Sequence, residues 1–88
     1  MSDANKQLVR DFLTAFYIGD IEGAISALER LLLIEGDQPE LKLELGVLYY
    51  RLGANDAATM YLDAARKSPE ASKQTRDRAE TFLKAAAK

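Results

Sequence analysis

Apolar residues recur along the chain at three- and four-residue spacing, and no stretch holds the period of two that marks a half-buried strand. The first stretch, about residues 4 to 18, carries Leu8, Val9, Phe12, Leu13, Ala15 and Phe16 as a broad stripe and stops at Gly19. The second, about 20 to 34, opens on Asp20 as a candidate N-cap and sets Ile21, Ala24, Ile25, Leu28, Leu31 and Leu32 on one face. Gly36 and Asp37 close it. Pro39 suits the first turn of a third helix, where its missing N–H costs nothing. That helix has two stripes: Leu41, Leu45, Leu48 and Leu52 on one side, and Leu43, Val47 and Tyr50 nearly opposite. Gly53 ends it. A fourth helix is predicted over 55–67, with Ala58, Tyr61, Leu62 and Ala65 inward. After a break at Ser68 and Pro69, a fifth over about 72–87 has one dry side: Thr75, Ala79, Phe82, Leu83 and Ala86.

The chain overlays itself when shifted by 34 residues. Gly19 falls on Gly53, Ala24 on Ala58, Leu28 on Leu62, Leu13 on Val47 and Phe16 on Tyr50. A helix–turn–helix period of that length resembles the tetratricopeptide (TPR) family. The second repeat carries the likeness: Leu45-Gly46, Tyr49, the turn glycine Gly53, and Ala58, Leu62 and Ala65. In the first repeat Phe12 stands where the small glycine is expected and Ala15 where the tyrosine is, so the large–small order is reversed. The resemblance implies an all-α fold of antiparallel helix–turn–helix repeats. It comprises repeat one at about 5–38, repeat two at about 39–71 and a capping helix at about 72–88, all in one domain. More narrowly, the run from Pro39 to Gly53 and the closing Ser68-Pro69, Arg76, Arg78 and Phe82-Leu83 are similar to repeats of certain Gram-negative bacterial proteins, in which such repeats can precede an outer-membrane barrel.

In that family the first helix of each repeat builds the concave face. The resemblance therefore implies a partner-binding groove of Val9, Leu13, Phe16, Tyr17, Leu43, Glu44, Val47, Tyr50 and Arg51. The argument from residues is one of excess. If Leu41, Leu45, Leu48 and Leu52 pack the third helix on the fourth, then Leu43, Val47 and Tyr50 are left over. Three readings of these positions stay open: a groove for a protein or peptide segment, a face that pairs with a second copy in a homodimer, or filling of the chain's own core. The family's carboxylate clamp for chaperone C-termini is not expected. Its places hold Val9, Leu13, Glu44, Gln74 and Arg78, of which Arg78 alone fits.

Composition narrows the chemistry. With 12 basic and 14 acidic residues among 88, the net charge is −2, which does not favour nucleic acid or an anionic membrane surface. There is no cysteine and no histidine, which removes thiol chemistry and the commonest general base and zinc ligand. Glu40 with Glu44, and Glu22 with Ser26, lie one turn apart, but such pairs on a charged helical protein read as solvated surface. No catalytic residue, metal or cofactor is expected. No apolar run approaches the ~18 residues that span a bilayer, so no membrane insertion is expected. Met1 to Lys6 lacks the layout of a signal peptide. As written the chain would be cytoplasmic; as an excised domain of an envelope protein it would be periplasmic.

Overall fold

The computed structural model describes residues 3–87, with side chains from Lys6 to Ala87. Met1, Ser2 and Lys88, at the ends of the expected domain, lie outside the described residues. The described residues form five helices and no strand: α1 (Asp3–Tyr17), α2 (Ile21–Glu35), α3 (Pro39–Leu52), α4 (Asn55–Lys67) and α5 (Lys73–Ala86).

Local chemistry sets the boundaries. Asp20 caps α2 by accepting a 3.0 Å hydrogen bond from the Gly23 N–H. Ser72 caps α5 in the same way, accepting from the Thr75 N–H at 3.1 Å. Pro39 opens α3 at its first turn. Gly19 and Gly53 adopt φ of 81° and 88°, the left-handed conformation that ends α1 and α3 without a side-chain clash.

Two apolar cores meet at α3. The first joins Leu8 and Ala15 of α1, Ala24, Ile25, Leu28 and Leu31 of α2, and Leu45 and Leu48 of α3. The second joins Leu43 of α3, Ala58, Leu62 and Ala65 of α4, and Ala79 of α5. Phe82 and Leu83 pack onto this second core, so the dry side of α5 lies against α3 and α4. The outer side of α5 is wet: Lys73, Gln74, Asp77, Glu80, Thr81 and Lys84 are exposed. Residues related by the 34-residue shift take the same roles, with Ala24 and Ala58, and Leu28 and Leu62, all buried. The match fails on one face of the first helices. Where α3 buries Leu45 and Leu48, α1 carries exposed Asp11 and Thr14.

One expectation about α3 is reversed. Leu45 and Leu48, with Leu41 beside them, pack into the core shared with α1 and α2, while Leu52 is exposed. The face toward α4 contains Gly46 and Leu43 instead. The reason is steric. A Cβ on Gly46 would lie 2.5 Å from Leu62 Cγ and 3.2 Å from the Leu62 backbone nitrogen, so α3 and α4 approach backbone to backbone there. A row of leucines would hold them apart.

That approach gives the first prediction. Gly46→Ala forces Leu62, fully buried, away from α3. Overpacking of this kind costs ~1–3 kcal/mol. For a domain of this size each kcal/mol lowers the melting temperature by about 4–8 °C. Thermal unfolding followed by circular dichroism checks it, and an unchanged midpoint would show that the crossing is looser than described.

Candidate functional site

The nine residues expected to form one groove divide between two environments. On α1, Leu13 is 54% exposed, Phe16 48% and Tyr17 93%, while Val9 is half-buried against the first core. On α3, Leu43 is only 2% exposed and belongs to the second core. Leu43 is thus part of the interior and offers nothing to a partner. Val47 and Tyr50 are half-buried because α5 lies over them. The Phe82 ring meets the Tyr50 ring edge-on at 5.9 Å. One turn earlier on α5, Arg78 pairs with Glu44 at 3.5 Å. Glu44 is therefore tied to α5, and so is the one residue that matched the carboxylate clamp.

Arg51 takes the other direction. Its guanidinium carbon sits 5.5 Å from the centre of the Phe16 ring, bridging α3 to α1 by a cation–π contact. Otherwise the two helices share the first core without close backbone approach: among the described residues no Cα of α1 comes within 8 Å of α3, whereas α5 does approach α3 that closely. Leu13, Phe16 and Tyr17 are exposed on α1, and exposed Arg51 of α3 lies against Phe16. Phe12 and Phe16 pack with ring centres 5.9 Å apart, which steadies Phe16 beside Arg51.

A polar cluster on the other side of α3 was not foreseen. The Tyr49 and Tyr61 rings stack at 5.6 Å with planes 8° apart. Both hydroxyls donate to the same Glu29 carboxylate oxygen, at 3.0 and 3.2 Å. Three helices, α2, α3 and α4, are joined at one atom. The signal in the sequence is faint: Glu29 sits directly beside the stripe position Leu28, where it borders the core. Burial, hydrogen bonding to Glu29 and the charge of that carboxylate together push the Tyr49 phenol up to about 12 and raise that of Tyr61 as well.

Among the described residues no group of three or more acidic side chains is arranged to hold a metal ion. Among those residues, too, no helix is long and apolar enough to cross a membrane. No protein-family model matches the chain, and neither a curated protein nor a solved structure matches it significantly.

The tyrosine cluster gives an alkaline prediction. Folding holds both phenols in their neutral form, so their contribution to stability is complete below the ordinary phenol value near 10. It is lost as pH rises from there toward 12. Tyr49→Phe removes a charge-assisted hydrogen bond and should cost about 1–2 kcal/mol at neutral pH. It should also flatten the fall in stability between pH 10 and 12. Urea midpoints for both proteins across that window check it; parallel pH profiles would show that Tyr49 is not titrating against Glu29.

Proposed function

We propose that the chain is a non-catalytic protein-binding module of TPR-like build, two repeats and a capping helix, which receives an apolar segment of a partner protein along α1 beside α3. The observation that carries this reading is the exposure of Leu13, Phe16 and Tyr17 on successive turns of one helix face. Leaving such a patch wet forgoes roughly 25 cal/mol for each Å² that burial would remove from water, and contiguous apolar surface of this kind marks interaction sites. The 34-residue repeat supports the architectural part: α1 and α3 are equivalent first helices, and their shared side is the concave one in TPR arrays. The working surface is narrower than the nine-residue groove. It consists of Leu13, Phe16, Tyr17 and Arg51, with half-buried Val9 beside them; Val47 packs on the second core. Glu44 and Tyr50 belong to the contact with α5.

The test uses the exposure of these residues, which lets them be changed without opening the core. Random peptides displayed on phage are selected on the wild-type protein and rebound to the Leu13→Asp, Phe16→Asp double variant. Selected peptides should carry spaced aliphatic or aromatic residues and lose binding to the variant, while its circular dichroism spectrum is unchanged. Peptides that bind both proteins equally would remove this face from consideration. A wild-type dimer that becomes a monomer in the variant would instead assign the face to self-association.

A further inference from the structure

The outer side of the α1–α2 pair carries two depressions that meet at Asp11. One is lined by Gln7, Leu8 and Asp11 of α1 and by Arg30, Leu33 and Ile34 of α2. The other holds Thr14, Ala15 and Ile18, with Gly23 of α2 across from them. Together they make one groove between the two helices. Large apolar residues stand bare along it: Leu33 is 87% exposed, Ile18 73% and Ile34 53%. The repeat does not demand Leu33 and Ile34, because the 34-residue shift places Lys67 and Ser68 at those positions.

Whatever covers this groove has to meet its charges as well as its apolar rim. Asp11 and Arg30 line the same depression, yet neither has an ion pair among the described residues. Asp11 accepts a 3.0 Å hydrogen bond from Gln7, one turn back on its own helix. An apolar helix laid over the groove would leave both charges desolvated and unpaired. A second copy of the same face brings both complements. Because α1 and α2 run antiparallel, a half-turn about an axis along the groove lays α1 of each copy over α2 of the other and keeps the groove's ends in register. Arg30 of each copy then faces the depression that holds Asp11 of the other, and the two Leu33–Ile34 ends meet.

We propose that the outer α1–α2 face pairs with a second copy of itself across a two-fold axis, with Arg30 of each chain on Asp11 of the other and Leu33 and Ile34 of both chains closing the apolar end. Such an interface is self-complementary, as two-fold symmetry requires. It is separate from Leu13, Phe16, Tyr17 and Arg51, so it does not rest on the docking reading above. Its size sets its strength. Two helices of 15 residues each make a face roughly 22 Å long and 20 Å wide. That is small beside the ~800 Å² each partner buries in a standard interface, so the dimer is weak and reversible. The far end of the stack, the outer side of α5, is charged and polar, so association closes at two.

Sedimentation velocity on the full chain, from low micromolar to near-millimolar concentration at low salt, tests it. The mass should rise from 9.8 kDa toward twice that value and no further. Leu33→Lys with Ile34→Ser gives the first repeat the residues of the second; it should stay monomeric with an unchanged circular dichroism spectrum, since both positions are exposed. Asp11→Arg and Arg30→Asp should each weaken dimerisation at least roughly tenfold. An equimolar mixture of those two variants should recover it, because the mixed pair again sets a cation against a carboxylate at both contacts. That rescue occurs between chains, so no folding defect can imitate it. The Leu13→Asp, Phe16→Asp variant should dimerise like the wild type, which keeps this face distinct from the docking face. A wild type that is monomeric throughout, a mass that grows past the dimer, a dimer that survives Leu33→Lys with Ile34→Ser, or a mixture that fails to recover would each overturn the proposal and leave the docking reading untouched.

Discussion

Helix α3 must be dry on two sides, and the rest of the molecule is arranged to make it so. On one side Leu45 and Leu48 enter the core built by α1 and α2. On the other Leu43 and Gly46 meet α4, and α5 closes over Val47 and Tyr50. A chain of 88 residues has little interior to spend, and a helix that serves two cores at once is an economical solution. The demand is met by size as much as by hydrophobicity. Gly46 removes a side chain where Leu62 needs the room, and Tyr49 closes the neighbouring space while keeping its hydroxyl on Glu29.

This division explains what the linear pattern could and could not convey. The five helices were legible because each boundary has its own chemistry within a few residues: Asp20 and Ser72 as caps, Pro39 as a starter, Gly19 and Gly53 as left-handed stops. Both stripes on α3 were legible too. What periodicity does not say is which stripe faces which neighbour. Counting leucines assigned the richer stripe to the nearest helix in sequence, α4. In the fold that side belongs to the glycine, because close approach outranks apolar area at that crossing. With the stripes exchanged, Leu43 passes from the expected binding surface into the interior, and Leu13, Phe16 and Tyr17 keep their place on the surface.

The polar contacts were least legible, and for a common reason. Glu29 with Tyr49 and Tyr61 are separated by 20 and 32 residues, and Arg78 reaches Glu44 across an intervening helix. Each partner alone is an ordinary half-buried or exposed residue on a helix. Only packing makes them neighbours, and no local spacing rule encodes it. The cation–π contact of Arg51 with Phe16 is of the same kind.

The two outer faces of the helical stack have one more effect, on how the molecules behave when crowded. At one end α1 shows Gln7, Asp11 and Thr14 where α3 has Leu41, Leu45 and Leu48. At the other, the outer side of α5 is a lawn of lysine, glutamine, aspartate, glutamate and threonine. Repeat folds with sticky ends can grow into filaments, each molecule extending the next as though it were another repeat. Here the α5 end is hydrated, while at the α1 end Ile18, Leu33 and Ile34 stand bare beside Gln7, Asp11 and Thr14. Linear polymerisation is opposed most fully at the α5 face and only in part at the α1 face, so an engineer wishing to chain these units together would begin by restoring leucines at positions 7, 11 and 14.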